Sequence, residues 1–221
     1  MTLLREIQLL LERTYAPVPI NLEHCLIGDR RCAALTQLAG PGAADLAPQG
    51  RTFLRREGDA LRLAIFYAAP VIAELEANDP RQTLNERNIA PLITFIEEIA
   101  HGVQAALLFL EGERAIETEA YARNLETQAQ VDTYLVLSKF AQLLGGGPIP
   151  RRVGAWLRRQ VFDDSYRSFR SATLRCRYRE AQRCAQAFLR HLRGVPVLER
   201  TGVLREFRAL SWEGKRAFVQ A

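Results

Sequence analysis

Glu97, Glu98 and His101 stand together in the most apolar helical run of the chain, TFIEEIAHGVQAALLFLEGE, from Thr94 to Glu113. Two carboxylates and an imidazole so close can share a proton, serve as general acid and base, or hold a divalent metal. On a helix Glu97 and His101 are four apart and Glu98 and His101 three apart, so either carboxylate can reach the ring. A helical projection with Ile96 at the origin gathers Ile99, Ala100, Val103, Leu107 and Leu110 within about 60° of it, a stripe expected to be buried. Glu97 and His101 fall at roughly 100° and 140°, on the flank of that stripe. A flank suits a polar site inside a cleft, and it suits an ordinary half-exposed pair equally. Farther along, Gln128 and Asp132 are four apart, as are Glu126 and Gln130. They draw a polar face along the next helix, which either meets the His101 flank across an antiparallel pair or is the wet face of a long helix.

Glu97-Glu98-Ile99-Ala100-His101 resembles the His-Glu-x-x-His helix of the zincin metallopeptidases, the gluzincin type in particular, with glutamate in place of the first histidine. The resemblance implies Glu98 as catalytic base, His101 as a metal ligand and Glu97 in the first ligand position. It also implies a preceding β-hairpin and a following helix that supplies a glutamate ligand. Glu126-Thr127-Gln128-Ala129 matches that following stretch with Gln128 where the ligand is expected, which leaves Glu126 as the nearest carboxylate. The likeness covers Thr52 to Leu137. The cofactor it implies is zinc, and the carboxylate-rich set Glu97, His101 and Glu126 would also suit another divalent metal, manganese or iron. A ferritin-like dinuclear site repeats its Glu-x-x-His pattern, and this chain has one copy.

The remaining reactive side chains are less concentrated. His24 adjoins Cys25, but neighbours in sequence rarely have the geometry of a nucleophile and its base, so a loop histidine and a buried thiol are expected. His191 ends an arginine-rich helix, where a cation complements the helix dipole. Gly145-Gly146-Gly147 lacks the Lys-Ser/Thr of a phosphate-binding loop and reads as a hinge. Arg175, Arg179 and Arg183 recur every four residues and make a basic stripe. The stripe could bind phosphates, or pair with acidic groups of the same chain or a partner.

These residues need elements to position them. Helices are expected at Leu3 to Tyr15, Arg30 to Leu38, Ala69 to Ala77, Asn88 to Leu110, Glu117 to Leu144, Arg151 to Val161, Ser165 to Leu192, Val203 to Leu210 and after Ser211. Ala16 to Asp29, with two prolines, reads as a loop, and Gly40 to Gly50 as a linker. Thr52 to Arg56 and Leu61 to Tyr67 are β-prone runs joined through Gly58-Asp59, a hairpin signal. The expected fold is mainly α with this small hairpin (α+β), its antiparallel helices arranged around a central apolar pair. Gly145 to Pro148 divides an acidic lobe, 1–147, from a basic helical lobe, 148–221, packed on it.

The 221 residues, 48% hydrophobic and 25% charged, have ordinary globular composition. Residues 151–221 hold 17 Lys and Arg against 6 Asp and Glu, a net of +11; the whole chain is +5, so residues 1–150 carry −6. Four cysteines without Cys-x-x-Cys spacing suggest reduced, mostly buried thiols. No secretory signal is evident, and the longest uncharged apolar run, Gly102 to Leu110, is too short to span a bilayer, so a soluble protein of a bacterial cytoplasm is expected. The first functional expectation is a non-enzymatic protein with a degenerate metallopeptidase-like core, acting through contacts with another protein or a second copy of itself. The second is a metal-dependent hydrolase using Glu98 as base and Glu97, His101 and Glu126 as ligands. The third is a nucleic-acid-binding protein using the arginine stripe.

Overall fold

The hairpin forms where two β-prone runs flank a glycine that can turn the chain. In the computed structural model, which describes residues 1–39, 48–163 and 165–220, β2 (Gly50–Glu57) and β3 (Ala60–Tyr67) pair antiparallel. Their register runs from Gly50 opposite Tyr67 to Glu57 opposite Ala60. Gly58 takes φ +60° at the first turn position, a conformation other residues resist. A strand missing from the sequence expectation joins them. Leu26–Ile27 (β1) lies parallel to β3, opposite Ile65 and Phe66, so the segment read as a loop contains an edge strand. Two residues are too few to carry a period. With sheet order β1-β3-β2, β3 is central, and its second half, Ala64 to Tyr67, is buried. Residues 40–47 of the expected linker lie outside the described residues; Gly50 belongs to β2.

The central helix pair is α4 (Ile89–Leu110) and α5 (Glu119–Gly145), the fourth and fifth helices after Leu3–Thr14 (α1), Asp29–Leu38 (α2) and Ala69–Ala77 (α3). Asn88 fixes the entry to α4. Its side chain donates to the carbonyls of Asn78 (2.9 Å) and Thr83 (2.7 Å) and accepts from the Asn85 amide. Thr118 caps α5 by accepting from the Tyr121 amide, and Gly146, at φ +65°, ends it by returning N–H groups to the last turn. On α4 the stripe Ile96, Ile99, Ala100, Val103 and Leu107 is buried as expected, but Leu110 is 57% exposed, because the helix ends beyond the core. α4 is long and apolar enough to cross a membrane by length and composition; here 72% of that apolar window is buried inside the protein.

Residues 148–221 contribute α6 (Arg151–Val161), α7 (Ala172–Gly194), α8 (Arg200–Ala209) and α9 (Trp212–Gln220). One hydrophobic core takes in Leu4 and Ile7 of α1, Ile96 of α4, Leu137 of α5 and Phe188, Phe207 and Trp212 from the last three helices. Phe188 and Phe207 stack at 3.7 Å. The helix expected from Ser165 is divided: Ser165–Ser168 form a 3-10 turn, and α7 starts at Ala172, capped by Ser171. Arg175 secures the break by donating to the carbonyls of Phe169 and Arg170. Opposite charges of the two halves meet at Arg177 and Glu119 (2.6 Å) and at Arg208 and Glu111.

Candidate functional site

Glu97 and His101, four apart on the flank of the α4 stripe, open onto a cavity of about 500 Å³. Its walls are the start of β2, the facing sides of α4 and α5, and Asp163, Tyr166, Phe169, Tyr178 and Gln182. Glu98 points from the same helix toward β2. Its Oε2 accepts from the Thr52 hydroxyl at 2.6 Å, and its residue is 9% exposed. The close approach of β2 depends on Gly50, where a Cβ would lie 2.5 Å from Thr94 Cγ2.

His101 sits between two carboxylates. Its Nδ1 lies 3.5 Å from Glu98 Oε2, and its Nε2 lies 3.5 Å from Glu126 Oε2 on α5. Burial opposes a charge on the ring, but Glu126 and then Glu98 outweigh it and lift the His101 pKa well above its ordinary value. Glu97 is pushed up to about 8, first by burial and then by the nearby Glu126 carboxylate, so it carries a proton at neutral pH. The Tyr178 hydroxyl, from α7, is held well above its usual range by burial and then by the nearby Glu126 carboxylate. A line of polar groups, the relay of this site, thus runs from Thr52, hydrogen-bonded to Glu98, through the ion pairs of His101 with Glu98 and Glu126, with Tyr178 and the Glu97 carboxyl beside Glu126.

Buried polar atoms of cavity-lining residues that have no hydrogen-bond partner among the described residues include His101 Nε2, Gln130 Oε1 and Tyr121 Oη. His101 Nε2 keeps its ion-pair distance to Glu126. Gln130 and Tyr121 are 8% and 6% exposed, so bulk water does not serve them. Other partnerless atoms, such as Gln104 Oε1 and Thr133 Oγ1, lie elsewhere in the molecule.

The sequence-derived site residues are therefore divided. Glu97, Glu98, His101 and Glu126 come together on the cavity. Gln128 and Asp132 do not: they are neither a wet face nor part of the cavity, but members of a separate buried network. There Lys215 of α9 donates to Asn124 Oδ1 (2.5 Å) and Gln128 Oε1 (3.0 Å). Gln128 Nε2 donates to Tyr15 Oη (2.9 Å) and Asp132 Oδ1 (3.1 Å), and the Tyr15 hydroxyl donates to Asp132. Of the stripe, Arg175 is spent on backbone carbonyls, while Arg179 and Arg183 are exposed. All four cysteines are free, two of them buried.

The implied metal can be tested against these side chains. His101 Nε2 and Glu126 face each other, but Glu98 is turned to Nδ1 and Thr52, and among the described residues no group of three or more His, Cys, Asp or Glu converges to hold a metal ion. A metal needs at least three such donors here, so the arrangement does not fit one. Gln130 shares with Glu126 the polar face expected from the sequence, whereas Thr52, Tyr121 and Tyr178 are not expected there; Tyr178 arrives from a distant helix that no local spacing could place. Comparison with protein families, curated sequences and solved structures finds no match.

Proposed function

We propose that this is a binding protein whose cavity between β2, α4, α5 and α7 receives a small organic ligand, the carboxylate–imidazolium relay forming its polar wall. One observation carries the reading: Gln130 Oε1 and Tyr121 Oη are buried on that wall without partners. A buried, unpaired polar group costs about 1–3 kcal/mol, and a ligand that supplies the missing hydrogen bonds recovers it. The volume, about 500 Å³, lies in the range of small-molecule sites. The expected contact with another protein keeps a place here only if the ligand is part of that protein. The hydrolase reading retains one supporting observation, the facing pair His101 and Glu126.

Gln130→Leu and Tyr121→Phe test the proposal, because each removes an orphaned group while keeping most of the volume. Each variant should be more stable than the parent to urea, by about 1 kcal/mol. Equal or lower stability in both would count against a cavity built for a ligand. Adding zinc, manganese or iron should leave the parent's melting unchanged; a stoichiometric metal lost in His101→Ala would replace this reading with the hydrolase.

A further inference from the structure

The ligand's chemistry can be read from the order of groups along the cavity. α4 and α5 run antiparallel, so Glu97 lies toward Gln130, His101 meets Glu126, and the later turns of α4 meet Leu125 and Tyr121. Glu97, His101, Glu126 and Gln130 therefore form one polar end of this stretch, with Ala90 and Ile93 before them on α4. The other end, toward the start of α5, is apolar, with Leu54, Ile116 and Leu125 beside Tyr121. From Gln130 to Tyr121 the wall is nine residues of helix, about 13 Å.

The polar end is rich in acceptors. Glu126 and Glu97 offer carboxyl oxygens, and Gln130, a residue 8% exposed, brings a carboxamide whose Oε1 is buried and unpartnered. The cations on the wall are engaged elsewhere. Arg177 is bound to Glu119, Arg51 donates to Thr36, and the His101 ring is shared between Glu98 and Glu126. A ligand that brings N–H donors and positive charge satisfies this end; a carboxylate or phosphate meets repulsion and leaves Gln130 Oε1 unpaired.

We propose that the cavity binds an amphiphilic primary amine, its ammonium group among Glu97, Glu126 and Gln130 and its apolar chain lying toward Leu54, Ile116 and Leu125. This assignment rests on the ligand-cavity reading above. The ammonium has three donors for three acceptor side chains, and the apolar chain excludes water from the far end. No covalent step is involved.

The experiment is calorimetric titration of the intact protein with butylamine, hexylamine and octylamine, with hexanol and hexanoate as controls. Affinity should rise about fourfold for each added methylene until the apolar end is filled. Hexylamine should bind at least tenfold more tightly than hexanol, and hexanoate more weakly still. Glu126→Gln should weaken hexylamine at least tenfold. Gln130→Leu, which is expected to fold at least as well as the parent, should weaken it at least fivefold. Hexanol or hexanoate binding as tightly as hexylamine, or a chain-length series with no trend, overturns the assignment. No binding by any amine at millimolar concentration also overturns it. If Gln130→Leu and Tyr121→Phe remain more stable than the parent in that case, the cavity stands and only the ligand class fails; if they do not, the cavity reading fails with it.

Discussion

His101 is not an isolated core histidine, because both of its ring nitrogens face carboxylates. Its folded pKa is raised, so it contributes stability that is fully present below the ordinary histidine value of about 6.5 and is lost as pH rises through the higher folded value. NMR titration of the ring should find it protonated at pH 7.5; a midpoint at or below 6.5 would contradict the paired geometry. His101→Ala leaves Glu98 and Glu126 facing each other without a cation and should cost about 3 kcal/mol in urea unfolding, the scale of a broken buried pair. At this scale the sequence was informative about half the site. Glu97, Glu98 and His101 share one helix, and helical spacing alone brings them together. Tyr178 and Thr52 reach the same relay from α7 and β2, and their arrival depends on tertiary packing that spacing cannot encode.

Among the elements, β2 is the one on which the site most depends. Gly50 opens that strand against α4, with Thr94 Cγ2 and Glu98 Cγ where a Cβ would need space. Gly50→Ala should therefore displace the strand from α4 and cost about 1–3 kcal/mol by overpacking. Thr94→Ser removes the closest methyl and should restore part of that loss in the double variant; additive effects of the two changes would exclude a direct clash. The hairpin itself was legible because Gly58-Asp59 sits between two β-prone runs, α4 because of its apolar periodicity, and α5 because the Gly145 to Pro148 stop marks its end. The two-residue strand β1 was not legible, since its pairing with Ile65 and Phe66 is non-local. The break before α7 was missed for a different reason: arginine and aromatic residues continue through it, and the Ser171 cap interrupts the helix without any glycine or proline to mark it.

Across the whole molecule, the charge asymmetry is partly consumed internally, as Arg177 meets Glu119 and Arg208 meets Glu111. The deeper link between the halves is Lys215, fully buried against α5. Burial lowers its pKa to about 7, although Asp132 opposes the shift, and burial raises Asp132 to about 7 against its bonds from Tyr15 and Gln128. Between about pH 7 and its ordinary value, Lys215 binds fewer protons folded than unfolded, so stability rises with pH there. Between its ordinary value and about 7, Asp132 binds more protons folded, so stability falls as pH rises there. The two contributions together are least favourable near pH 7. Urea midpoints measured across pH should show Lys215→Met removing the alkaline rise and Asp132→Asn removing the acidic one. Unchanged profiles would mean that each group binds protons alike in the folded and unfolded chains, and would contradict the shifts assigned to them.

The Gln128 carboxamide joins partners that are remote along the chain: Tyr15 is 113 residues before it and Lys215 is 87 after it. The turn from α4 to α5, by contrast, closes across Glu111 to Thr118 alone. Long loops close late and at greater entropic cost, so the helix pair that bears the cavity can assemble early while the amide that ties α1 and α9 to it is satisfied last. The same inequality governs the folded state in reverse. Fluctuations that free α9 need not disturb α4, and hydrogen exchange is expected to mark α9 as the earlier of the two to open.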